Sequence, residues 1–265
     1  DEDEQFAVYR EAAETFPDGR VVIRTLDIGG DKPVEYLDLP DEANPFLGER
    51  GIRRSLGPDT DRFETQLRAL LRAGGAASGG RLAVLLPMVS TVEEVLDARE
   101  RLESVANDLD AAGEPYAMPE FGVMIETPAA ALLAQELVDH VDFLSLGTND
   151  LAQYVMAAER GNDRVAALAD ARQPAVLRAI RAAVEATDGT DVWVGICGEV
   201  AGDPGVTELL VGLGIDELSM SPVALPRVKQ AVSEVSDAAA RDLAERALAA
   251  VTREGVAAAI SGDEL

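Results

Sequence analysis

Three apolar runs of this chain each end on a side chain that could do chemistry. Phe121-Gly122-Val123-Met124-Ile125 runs into Glu126, Val141-Asp142-Phe143-Leu144-Ser145-Leu146 into an expected loop, Gly147-Thr148-Asn149-Asp150-Leu151, and Val192-Trp193-Val194-Gly195-Ile196 into Cys197. In parallel α/β proteins the C-terminal ends of strands are where ligands and catalytic groups collect. Glu126 and Asp150 carry the oxygen donors a hard cation takes, and Mg²⁺ is usually held by one or two carboxylates plus substrate oxygens. Their types alone equally allow them to cap helices or to pair with arginines. Cys197, the one cysteine, is by type either a small core packer or a thiol able to give up a proton. Arg24 sits at the end of the apolar run Val21-Val22-Ile23, where a charge needs a reason.

These groups need strands and helices to hold them. Apolar runs predict buried parallel strands over Val21–Leu26, Leu82–Met88, Phe121–Thr127, Val141–Gly147, Val192–Cys197 and Glu217–Ser221. Helical spacing is read over Phe63–Ala73, Thr91–Leu109, Pro128–Leu137, Pro174–Val184 and Ala238–Val251. Thr127 is expected to cap a helix with Pro128 at its first position, and Ser90-Thr91 to cap another with acids in its first turn. Two long connections, residues 27 to 60 and Leu151 to Asp170, interrupt the strand–helix alternation and are candidates for functional loops. Asp216-Glu217 precedes the last strand and reads as structural. The pattern gives an α/β fold and leaves an open doubly wound sheet and a barrel both possible.

Composition narrows the partners. The formal net charge is -26, with 49 acidic against 23 basic residues, and Lys32 and Lys229 are the only lysines. Acids spread along the chain with lysine nearly absent suggest a protein suited to high salt, where the Debye length is about 3 Å at 1 M. Such a charge disfavours nucleic acid and anionic membranes. One cysteine excludes an internal disulfide. With no 18-residue apolar run and no signal-peptide pattern, the expected location is cytoplasmic.

Six motifs, in order, carry a family resemblance. They are Arg24-Thr25-Leu26-Asp27-Ile28-Gly29-Gly30-Asp31-Lys32, Asn44-Pro45-Phe46-Leu47-Gly48-Glu49-Arg50, Met124-Ile125-Glu126-Thr127-Pro128-Ala129-Ala130, Gly147–Tyr154, Arg160-Gly161-Asn162 and Cys197-Gly198-Glu199. From about Gln5 to Val232 the chain resembles the C-terminal domain of enzyme I of the phosphoenolpyruvate-dependent sugar phosphotransferase system. Pyruvate phosphate dikinase and phosphoenolpyruvate synthase share the Gly-Thr-Asn-Asp and Cys-Gly-Glu elements. A fragment of one of them, or a non-catalytic fragment that dimerises or regulates, is the rival reading.

The resemblance implies a (β/α)8 TIM barrel of the phosphoenolpyruvate/pyruvate type, with residues 1–265 lacking its first two strands. One of those strands would bring a further phosphate-binding arginine. It also implies no phosphohistidine domain in this chain, so the chain alone would be inactive. Arg24, Lys32, Arg50, Asn149 and Arg160 would bind phosphoenolpyruvate, since arginine's fork matches phosphate oxygens. Glu126 and Asp150 would hold Mg²⁺, and Cys197 would protonate the methylene carbon as pyruvate forms. A histidine-containing phosphocarrier protein, reached through the missing domain, and a second copy of the chain are the implied partners. His140, the only histidine, is expected to be an ordinary helix-end residue and not a phosphoryl acceptor.

Overall fold

The computed structural model describes residues 1–29, 39–77 and 81–263. The chain divides into two compact units, one formed by Asp1–Met124 with His140–Asp142 and the other by Ile125–Asp139 with Phe143–Leu265. Both are α/β.

In the first unit the elements are α1 (Glu2–Thr15), β1 (Arg20–Arg24), α2 (Ile52–Ser55), α3 (Thr60–Ala76), β2 (Arg81–Leu86), α4 (Val92–Ala112) and β3 (Glu120–Ile125), whose last residue falls at the boundary. β2 pairs parallel with both β1 and β3, with Arg24 opposite Leu85 and Leu86 opposite Val123. The α4 start follows the expected chemistry. Thr91 accepts from the Glu94 N–H at 3.2 Å and Glu94 returns a bond to the Thr91 N–H at 3.0 Å, satisfying two amides that a helix start leaves without partners. The helix α1 was not legible in the sequence. Only Ala13 of it is buried, so it shows no apolar stripe; it is held instead by polar pairs to α3, such as Gln66 Nε2 donating to Tyr9 Oη at 3.1 Å.

The second unit contains α5 (Pro128–Leu132), α6 (Ala134–Leu137), β4 (Phe143–Gly147), α7 (Thr148–Val155), α8 (Pro174–Glu185), β5 (Trp193–Cys197), α9 (Thr207–Leu213), β6 (Glu217–Leu218), α10 (Leu225–Glu234), α11 (Asp237–Ala249) and α12 (Arg253–Ser261). β5 lies between β4 and β6, parallel to both, with Gly147 opposite Cys197 and Gly195 opposite Glu217. Strand alternation therefore puts Phe143, Ser145 and Gly147 on one face with Trp193, Gly195 and Cys197. Phe143 and Trp193 stack on that face with centroids 4.5 Å apart. Leu144, Leu146, Val194 and Ile196 fill the other face, fully enclosed.

An aspartate starts the strand in two places and does the same job in each. Asp142 accepts from the Phe121 N–H at 2.7 Å while its own N–H donates to the Phe121 carbonyl at 2.7 Å. Asp216 repeats this with Val194, both bonds at 2.8 Å. Asp216 is thus a register pin, as its structural reading anticipated.

Two expectations change. The single helix over Pro128–Leu137 is broken at Leu133 into α5 and α6, although Thr127 caps it as expected, accepting from the Ala130 N–H at 3.1 Å. The Gly147–Leu151 stretch is not a loop: Gly147 closes β4 and Thr148 opens α7 directly, so Asn149 and Asp150 lie in the first helical turn.

Candidate active site

The second unit gathers four of the expected residues around the ends of β4 and β5. Asp150 is 6% exposed, and its Oδ1 lies 3.2 Å from Nη1 of Arg160. Asn149, exposed on the adjacent position, accepts from the Glu199 N–H through Oδ1 at 3.3 Å. Thr148 Oγ1 donates to the Cys197 carbonyl at 2.9 Å, tying the first turn of α7 to the end of β5. The Cys197 thiol is half-buried, with the Ser145 hydroxyl 3.9 Å from its sulfur. Glu126, 1% exposed, stands directly before the Thr127 cap of α5.

Gly198 permits a close approach within the protein. At φ +107, a Cβ there would meet Thr148 Oγ1 at 2.4 Å and Asn149 Oδ1 at 3.0 Å. The glycine is what allows the Cys197–Glu199 turn to lie against the start of α7.

A cleft of about 560 Å³ opens beside Cys197, lined by Asn149, Glu199, Asp203, Ser219 and Met220 among others. A larger one, about 920 Å³, shares Asn149 and Glu199 but is walled by Asp170, Arg172 and Arg253 and does not reach Cys197. Size therefore does not identify the site, and the smaller cleft has the thiol. In the larger one, burial works against the Asp170 charge, but hydrogen bonds from Arg172 and Arg253 outweigh it and hold its carboxyl below the usual range. Arg253 Nε reaches Asp170 Oδ2 at 2.7 Å, anchoring α12 to the segment before α8.

In the first unit the two expected arginines differ. Arg24 is exposed at the end of β1 and makes no ion pair with any described residue. Arg50 is fully enclosed and binds Asp27 in two-pronged fashion, Nε to Oδ1 at 3.2 Å and Nη2 to Oδ2 at 2.8 Å. Gly29, at φ +106, makes that pairing possible, since a Cβ there would lie 2.4 Å from the Glu49 carbonyl. The Leu26 N–H just after β1 donates to Gln66 Oε1 at 3.0 Å. Gln66 also binds the Tyr9 hydroxyl, whose pKa is raised by burial. Lys32 lies outside the described residues.

Sequence reasoning did not single out Asp27, Gln66 or Gln153. Asp27 and Gln153 both fall inside quoted motifs, and the signal for Gln153 was its helical spacing from Asp150 once α7 is known to begin at Thr148. His140 ends a short 3-10 turn and its carbonyl accepts from Arg99 at 2.6 Å, an ordinary structural place.

Glu126 and Asp150 are both buried carboxylates, the oxygen-donor type that Mg²⁺ takes alongside substrate oxygens. Among the described residues no group of three or more potential ligands stands ready for a metal held by protein alone. No helix among them is long and apolar enough to cross a membrane.

Comparison with known proteins bears on the family of the chain. The chain is 68% identical over 264 residues to a phosphoenolpyruvate-protein phosphotransferase of Haloferax volcanii, covering 100% of this chain and 47% of that protein. It is 44% identical to the phosphotransferase of the same name from Staphylococcus carnosus (96% of this chain, 44% of that one). It is 47% identical to a multiphosphoryl transfer protein of Xanthomonas campestris (97% and 30%). The chain thus spans about half the length, or less, of these curated relatives. Among solved structures, a citrate lyase from Burkholderia xenovorans superposes with a TM-score of 0.50 at 17% identity, over 77% of this chain and 70% of that one, a likeness of fold alone. The family model described as "PEP-utilising enzyme, PEP-binding domain" matches residues 1–237, and the chain belongs to that family.

Proposed function

We propose that this chain is the phosphoenolpyruvate-binding part of a phosphoenolpyruvate–protein phosphotransferase, built as the greater part of a (β/α)8 barrel. The observation that carries the reading is the family match over residues 1–237, together with Asn149, Asp150, Arg160 and Cys197 collected at the ends of β4 and β5. Arg24, Lys32, Arg50 and Arg160 supply cationic charge for the phosphate and carboxylate of the substrate, Arg50 with its Nε/Nη2 edge held by Asp27. Asn149 adds a polar contact. Glu126 and Asp150 would hold Mg²⁺, which when bound offsets phosphate charge.

The phosphoryl group leaves the enol oxygen of phosphoenolpyruvate in line for a histidine nitrogen on a separate domain. The bond broken is the one between the enol oxygen and phosphorus, and its electrons stay on the oxygen as pyruvate enolate. Cys197 then gives its thiol proton to the methylene carbon, yielding pyruvate. A thiol so placed acts as a general acid toward the carbon. The phosphohistidine would pass its group to a histidine-containing phosphocarrier protein. A cytoplasmic location and a homodimer complete the proposal.

Replacing Cys197 separates binding from chemistry. In Cys197→Ala, calorimetric affinity for phosphoenolpyruvate with Mg²⁺ should stay within about tenfold, or ~1.4 kcal/mol, while steady-state pyruvate formation by the full-length enzyme collapses. Loss of binding with chemistry retained would return Cys197 to a packing role. The composition further suggests salt adaptation: screening of the -26 net charge should raise the thermal midpoint from 0.1 to 2 M KCl (both concentrations on the order of those that shorten the Debye length from about 10 Å toward about 3 Å). A flat midpoint would remove it.

A further inference from the structure

Arg160 is fastened at both ends to one face of α7. Its guanidinium reaches Asp150 at 3.2 Å, and its main-chain N–H donates to Gln153 Oε1 at 3.0 Å. Asp150 and Gln153 are three positions apart, so they project from the same side of the helix. Gln153 is only 4% exposed, and its backbone carbonyl also accepts from the Ala158 N–H at 3.0 Å. In the span from Gln153 to these two amides lies Ala157, a non-glycine residue at φ +50. A left-handed alanine is strained and persists only where its surroundings over-determine it. The two bonds that Gln153 accepts, from the Ala158 and Arg160 amides, do that.

From this geometry we infer that Gln153 is a positioning residue for Arg160, clamping the strained turn at Ala157 so that the arginine is presented at the end of β4. The side-chain type fits the task. A neutral amide supplies a buried acceptor without setting a second carboxylate one turn from Asp150, where like charges repel. Its Nε2 is buried without a hydrogen-bond partner among the described residues. A buried donor left in that state is unfavourable, so packing alone would favour an apolar side chain here. The acceptor is what requires glutamine.

The substrate arm of the test rests on the reading of Arg160 given above; the hydrogen-exchange arm does not. Gln153→Met keeps length and loses the acceptor, Gln153→Leu serves if the methionine variant does not fold, and Gln153→Glu keeps an acceptor oxygen. Amide exchange at Arg160 in the full chain should accelerate about tenfold in the apolar variant and much less in Gln153→Glu, as expected for loss of one ordinary hydrogen bond. Affinity for phosphoenolpyruvate should fall by up to about tenfold while affinity for pyruvate, which lacks the phosphate, holds. The double variant with Arg160→Ala should bind phosphoenolpyruvate no more weakly than Arg160→Ala alone, because a residue acting through another is not additive with it. Unchanged exchange at Arg160 overturns the clamp. Additive losses, or equal weakening of both ligands, overturn its role in binding. If Arg160→Ala itself leaves phosphoenolpyruvate affinity intact, the assignment of Arg160 falls, and exchange at its amide still decides the clamp.

Discussion

Two arginine–aspartate pairs stand near strand ends, one in each unit, and they are built in opposite ways. Arg50 and Asp27 show 0% and 1% side-chain exposure and share two hydrogen bonds. Arg160 and Asp150 show 30% and 8% and meet at 3.2 Å. A buried pair cannot lose one member cheaply, because the survivor keeps an uncompensated charge away from water. A partly exposed pair can, because water takes over the arginine. The first pair fixes charge and backbone together; on the proposed reading, the second would let Asp150 exchange its arginine for another cation.

The sharpest way to break this comparison is to remove each aspartate. Asp27→Ala should cost about 3–5 kcal/mol of unfolding free energy, the usual loss for an orphaned buried charge, read by denaturant titration at fixed high salt. A loss below about 1 kcal/mol, typical of exposed pairs, would mean that Arg50 re-solvates and the pairs are equivalent. Asp150→Ala should behave the other way. Its stability should change by no more than about 1 kcal/mol, while Mg²⁺-dependent turnover of the full-length enzyme falls at least about a hundredfold, or ~2.7 kcal/mol. Normal turnover at ordinary Mg²⁺ would remove Asp150, and with it the exchange role, from the site.

A smaller effect comes from a third, non-catalytic aspartate. Asp170 has a folded-state pKa below its unfolded value, because bonds from Arg172 and Arg253 outweigh the cost of burial. Its contribution should therefore be complete above the unfolded pKa, about 3.9, and be lost as pH falls through the lower folded-state pKa. Comparing wild type with Asp170→Asn across that range should show the difference in stability shrinking as acid is added. A difference independent of pH would mean that Asp170 acts by shape and not by charge.

Much of this was legible in the chain. Apolar runs of β-branched and aliphatic residues located six strands to within a few residues, since burial on both faces leaves such runs little alternative. Thr127-Pro128 and Thr91 with Glu94 marked helix starts, because capping is local and its residues are adjacent in sequence. The motifs carried the family and marked Glu126, Asp150, Arg160 and Cys197 as candidates, because both depend on residue type and order.

What the tertiary structure alone decided is how those groups are held. Nothing local links Asp27 to Arg50, 23 positions apart, or the Leu26 amide to Gln66, 40 apart. Nor could spacing show that Gly198 is needed for its approach to Thr148 and Asn149. The helix α1 was invisible for a related reason, as polar pairs to α3 hold it and leave no apolar periodicity to read. The sequence by itself determined which residues could do chemistry and which segments would be buried, because both follow from side-chain type. Which carboxylate meets which arginine, and how exposed that pair is, followed only from packing, because distant segments must come together before a charge has a partner.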